Sequence, residues 1–355
     1  AAFAVALPGS LATVGLLASF AAIGAGAIRY VEFAAVGITA FILVLLAHYI
    51  GKVLRHATHR RIAWGVLLAS FLATGANKAI AVVSHLLGVH VGWRLPSISA
   101  LTLIVTAIAA IGLSTLIWPR SGESAPAVST TPGRGTRRAT AWFAAVTLGG
   151  IGAGWLLGGT AGLRFLGLIA GSAITSFGGG EAYVGVADGF FVRSGLVPSA
   201  EFYGQLVPVA NALPGPILVK VASGLGFAFG SAQGGALAGI GFAIAAFAAS
   251  TASCSAVCLV VLSAYDRFAQ SLFMQRLGAF ILPVICGLLV TTSCAMVVAN
   301  AEIAERAQIA PTPVAWGSVL GAAALWWLHR RFGLHDLVLL ALAGGASLAG
   351  LLLAS

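Results

Sequence analysis

Apolar residues run along this chain in stretches of about 20, separated by short polar or basic breaks. The runs lack the every-other-residue alternation that a membrane-spanning strand of about 9 to 11 residues would show. Each is long enough to cross a hydrocarbon core of roughly 30 Å as a helix. The pattern predicts spans over approximately residues 3–27, 33–50, 63–87, 97–118, 141–159, 163–180, 203–228, 236–263, 277–299, 311–328 and 335–354, with ends good to a few residues. That is about eleven spans, and an all-α, polytopic helical bundle.

Composition removes the soluble alternatives. Of 355 residues, 59% are hydrophobic and 8% charged, whereas a soluble domain carries about a quarter charged residues. The net charge of +10 does not point to nucleic acid, because the basic residues lie in short loops between apolar runs instead of on one face or tail. Lys52, Arg55, Arg60 and Arg61 form one group, Arg120, Arg134, Arg137 and Arg138 another, and Arg267, Arg276, Arg330 and Arg331 the rest. Alternating the spans puts all of them on one side, the cytoplasmic side by the positive-inside rule. The opposite loops are sparse or balanced, with Arg29 and Glu32, Arg94, Arg164, and Glu302, Glu305 and Arg306. Trp64, Trp93, Trp118, Trp142, Trp326 and Trp327 fall at span ends, as an interfacial aromatic belt requires.

No metal or cofactor is expected. Cys254 and Cys258 lie one helical turn apart, but no Cys or His pair of zinc-site spacing completes a set. His56, His59, His85 and His90 read as solvated or interfacial. No HEXXH, nucleophile with base, or carboxylate-rich motif suggests an enzyme. Asn77 and Lys78 lie within a span, facing either a cavity or a local partner.

The stretch 119–140, rich in Pro, Gly, Ser, Thr and Arg, reads as a cytoplasmic linker between a first membrane part, 1–118, and a second, 141–355. The four spans before it align with the last four. Ala1-Ala2-Phe3 matches Ala245-Ala246-Phe247, and Val36-Gly37-Ile38-Thr39-Ala40-Phe41 resembles Leu277-Gly278-Ala279-Phe280. Aligned spans enter from opposite sides, which reads as an inverted-topology repeat, with chance alignment of similar helices as the alternative. The first part then lacks counterparts of roughly 141–229, either because an N-terminal portion is missing, as the absent initial Met hints, or because the natural product is shortened.

Two segments interrupt the apolar runs. In the first, Phe177-Gly178-Gly179-Gly180-Glu181, three glycines each cost a helix about 1 kcal/mol relative to Ala, so the helix is expected to unwind there. Unwound backbone at membrane depth is tolerated only where it is buried or lines a wet cavity. The second runs from Gln205 through Asn211 to Pro214-Gly215-Pro216 and Lys220. Pro214 forces the residue before it out of helical geometry, and Pro216 suits the first turn of a new helix. A discontinuous helix restarting near Gly215 offers unpaired N–H groups and about half a positive charge to an anion. Lys220, one turn further on, is an intramembrane ammonium in need of a partner. A bound oxyanion, a structural pair with Glu181 or Asp188, and snorkelling to the interface all meet that need.

Phe177-Gly178-Gly179-Gly180, then Gln205 and Leu213-Pro214-Gly215-Pro216, then Gly224, Gly226 and Gly230, resemble the signature of the chromate-transporter family. The resemblance covers 141–355 and, more loosely, the first four spans. It implies an inner-membrane secondary transporter that exports chromate, coupled to protons, and built from two homologous halves with a motif pair in each. Chromate and sulfate share charge and shape, so a sulfate-like oxyanion is the alternative cargo. On this reading Phe177, Gly178, Gly179, Gly180, Gln205, Asn211, Pro214, Gly215, Pro216 and Lys220 form the substrate site, and Glu181 or Asp188 takes up the proton. Gly185 stands where the family often has proline, and the first-half motif pair is missing. The expected partners are therefore the oxyanion, protons and the lipid bilayer, with a homodimer, a partner chain, or a half-protein that does not transport alone left open.

Overall fold

The computed structural model describes residues 2–22, 25–57, 59–89, 92–93, 95–117, 134–176, 180–213, 215–263 and 272–354. All regular structure among them is helical. The helices are α1 (Ala2–Ala22), α2 (Ala25–His56), α3 (Arg60–Leu87), α4 (Ala100–Ile117), α5 (Arg134–Ile174), α6 (Gly180–Ala187), α7 (Ser199–Glu201), α8 (Val207–Ala212), α9 (Ile217–Ser263), α10 (Leu272–Arg306), α11 (Pro311–Phe332) and α12 (Asp336–Ala354). Seven helices among the described residues are long and apolar enough to cross a membrane, and the molecule is a multi-pass membrane protein with discontinuous helices. Leu148, Leu156, Leu237 and Ile244 stand exposed on its outside, where acyl chains take the place of water. Trp64, Trp93, Trp142, Trp326 and Trp327 are likewise exposed, while Trp118 lies outside the described residues.

Two of the long helices are hairpins. α5 reverses at Gly158 (φ −149°, ψ 22°) and Gly159 (φ 60°, ψ −142°), and α9 at Gly234 (φ −150°, ψ 23°) and Gly235 (φ 74°, ψ −169°). The second glycine of each pair needs positive φ, which side chains other than Gly rarely accept. Flanking glycines let the arms close. A Cβ on Gly154 would sit 2.5 Å from the Gly162 oxygen, and one on Gly230 2.6 Å from the Ala238 oxygen. Small residues thus bring backbones into dispersion contact where lipid supplies no hydrophobic drive between helices. Phe165 of α5 stacks on Phe229 of α9 at 4.0 Å, and Phe242 meets Phe229 edge-on at 5.1 Å, locking the two hairpins together.

The second arm of α5, residues 160–174, and the first arm of α9, residues 217–233, are each about 15 residues long and reach only some 22–25 Å, short of a full crossing. Shorter helices extend both: 180–192 follows the first, and 199–212 precedes the second. The result is two broken crossings, one whose helix ends at Ile174 and resumes at Gly180, the other whose helix ends at Ala212 and resumes at Ile217.

The stretches on either side of the polar linker do not fold apart. α3 and α4 pack on α10, α11 and α12 pack on α2, and α1 lies along α9. Thr74 and Thr291 hydroxyls meet at 3.1 Å between α3 and α10, and Asn300 donates to Ser318 Oγ at 2.9 Å between α10 and α11. Residues 119–133 of the linker lie outside the described residues, and 134–140 form the first turns of α5. Composition alone placed that basic segment in the linker, but Arg and Ala are good helix formers, so the apolar run behind them extends its helix backward.

Candidate functional site

The break at 213–216 carries the most complete chemistry. α8 ends at Ala212, and Leu213 is extended (φ −92°, ψ 147°), as its position before proline demands. Gly215 has φ 109°, a conformation that excludes a side chain at little cost only for glycine. α9 then starts at Ile217, with the Lys220 N–H donating to the Pro216 oxygen at 3.3 Å. Pro214 lies outside the described residues. The Lys220 side chain is 1% exposed and curls back across the break, where its Nζ donates to the Leu213 carbonyl. It thereby satisfies a carbonyl orphaned by the end of α8, using one of its three donors.

The sequence left Lys220 three partners to choose from. Of these, Asp188 is engaged elsewhere, its carboxylate being bound by Arg193, Nε to Oδ2 at 3.0 Å. Asp188 is buried and begins a π-helical turn, Asp188–Val192, that continues α6. A π turn closes i→i+5, and the Arg193 N–H accordingly meets the Asp188 carbonyl at 3.0 Å. The same widening stacks their side chains. A second π turn, Phe202–Leu206, lies in the opposing short helix and contains Gln205. Tyr203 of that turn is buried beside Asp188, Arg193 and Thr292. Among the described residues, Asp188 Oδ1 and the Tyr203 hydroxyl meet no partner in good hydrogen-bonding geometry, although Tyr203 lies within reach of Asp188 and Thr292. π turns collect at functional positions, and this pairing of two places an acid, a cation and a phenol in one buried cluster.

The glycine break is less fully described. Phe177, Gly178 and Gly179 lie outside the described residues, and of Gly180, Glu181 and Ala182 only the helical backbone is described. On its α5 side, Thr175 Oγ1 donates back to the Gly171 oxygen at 3.0 Å, and Ser172 and Tyr183 hydroxyls meet at 3.1 Å across the interruption. Asn211 donates to the Val207 oxygen of its own helix at 2.9 Å, and Gln205 is half-buried.

Sequence reasoning passed over Tyr203, Thr292 and a contribution from α1. Gly9 Cα lies 3.8 Å from where a Cβ of Gly215 would stand, and beside it Ser10 and Thr13 bury their hydroxyls. The small, hydroxyl-bearing face of α1 at Gly9, Ser10 and Thr13 was the available signal. Asn77 and Lys78 lie elsewhere, lining a cavity of about 830 Å³ with His85 and Glu305. Asn77 is anchored there by two hydrogen bonds to the Leu95 backbone, at 2.7 and 2.8 Å.

A family model described as Chromate transporter matches residues 163–349, more than half of the chain and including both broken crossings. No curated protein and no solved structure matches.

Proposed function

The chain belongs to the chromate transporter family, and from that premise we propose that it moves an oxyanion, chromate first, across the cell inner membrane in exchange with protons. The observation that carries this reading is the Lys220 ammonium, buried at a helix break with one donor engaged. Its remaining donors, and the N–H groups that open α9, supply charge-assisted hydrogen bonds of the kind a tetrahedral dianion needs. Gly215 and Pro216 shape that opening. We assign Pro214 and the run Phe177 through Gly180 to the same site from the sequence, with Gln205 and Asn211 as neutral donors nearby in sequence. Sulfate has the same charge and shape, so it is the competing cargo.

For the proton, Asp188 is favoured over Glu181. Protonating Asp188 would release Arg193, and reionisation would recapture it, so this pair supplies a two-state element at one end of the broken crossing. Reconstituting the chain alone in vesicles tests the reading. Chromate uptake is expected, with Lys220→Ala reducing it about 100-fold at unchanged protein abundance. Undiminished flux in that variant removes Lys220 from the site. Flux that appears only with a second polypeptide present means that the chain works as one half of a larger assembly.

A further inference from the structure

On the face where α2 and α11 both end, a cavity of about 520 Å³ opens between them. Lys52, Arg55 and Arg330 line it together with His48, His56 and His329, and no acidic residue does. Asp336 lines an adjoining cavity and stands 3.9 Å from His329 Nδ1. Positive-inside topology accounts for basic residues at a cytoplasmic face, but it does not require cations from two helices distant in sequence to line one concavity. Arg60 and Arg61, at the start of α3 just beyond Arg55, are not part of its lining.

The shape of the site adds to its charge. Gly51 and Ala47 form part of the wall, leaving room between the helices. Trp326, exposed and part of the same wall, carries the Arg330 guanidinium over its ring at 5.3 Å, which holds that cation against the basin. Trp327, Phe332 and Leu337 are also exposed nearby in sequence. A cation-lined basin with an apolar rim at headgroup depth fits a phosphate that has acyl chains attached better than one that is free.

We infer that the basin formed by Lys52, Arg55 and Arg330 binds the headgroup phosphate of an anionic phospholipid from the cytoplasmic leaflet. The inference concerns a different face of the molecule from the Lys220 break and stands whether or not that break carries chromate. Basic residues near an anionic surface each strengthen binding about fivefold, so removing all three charges is expected to weaken it by about two orders of magnitude.

Native mass spectrometry of the full chain, purified in mild detergent and offered phosphatidylglycerol or phosphatidylcholine, reads this directly. Phosphatidylglycerol is expected to stay bound at an activation that strips phosphatidylcholine. The combined Lys52→Gln, Arg55→Gln, Arg330→Gln variant should lose it, while Arg137→Gln with Arg138→Gln, a basic pair elsewhere, keeps it. The three basin residues are exposed, and the single Arg330→Gln variant, with an expected fivefold loss, provides the reading should the triple variant not fold. Equal retention of both lipids, or retention unaffected by Arg330→Gln, overturns the inference. Displacement of phosphatidylglycerol by millimolar inorganic phosphate overturns it too, by assigning the basin to the free anion.

Discussion

The glycine reversals of α5 and α9 and the proline break before α9 both interrupt helices, yet they resolve the interruption in opposite ways. The reversals are uncharged. Gly158 and Gly234 share φ near −150°, Gly159 and Gly235 are both positive, and the arms close on each other through glycine. The break at 213–216 instead keeps its two helical pieces apart, with an extended Leu213 between them. It satisfies a carbonyl with a buried ammonium from the far side. A reversal closes through glycine against backbone and a phenylalanine ring, with no charge involved; the break is bridged by a charged side chain. Glycine alone makes a turn in this membrane protein, whereas proline with lysine makes a break that a buried ammonium spans.

Three substitutions sharpen that contrast. Gly154→Leu drives a side chain into the Gly162 backbone and should abolish the folded protein, read as loss of the monodisperse peak in size-exclusion chromatography. A normally folded variant would mean that the hairpin arms are not held by close backbone approach. Next in size, Asp188→Asn keeps the shape of the buried cluster but removes the charge that holds Arg193. Chromate movement should then respond about tenfold less to an imposed pH gradient, and an unaltered response would take Asp188 out of coupling. Smallest, Gly235→Ala meets no atom within 4 Å but must hold φ at 74°. It should destabilise the protein by about 1 kcal/mol, seen as a lowered Tm with chromate flux per folded molecule unchanged.

Hydropathy made most of the fold legible, because a lipid environment leaves the helix as the economical way to satisfy a buried backbone. Pro214 and Pro216 announced their break, since proline acts on its own backbone and the residue before it. The reversal at Gly234 and Gly235 was visible only as a boundary between spans, the close contact of the arms being a property of two separated segments. The Lys220 position was legible and its carbonyl partner was not, because a side chain folding backward over seven residues leaves no periodic trace. Asp188 with Arg193 escaped for a related reason. Helical pairing rules look three or four residues away, and a π turn puts the partner at five.

The packing of α2 against α12 has a consequence in time. Ser347 Oγ reaches the Phe33 oxygen at 2.8 Å across 314 residues of sequence. At about 5–20 residues per second, a ribosome needs roughly 15 to 60 seconds to make the second partner after the first. Throughout that interval α2 and α3, with Thr74 in mid-helix, must wait in the bilayer without the helices they are shaped to meet. A helix made early in this stretch of chain thus finds its place only when a late one arrives.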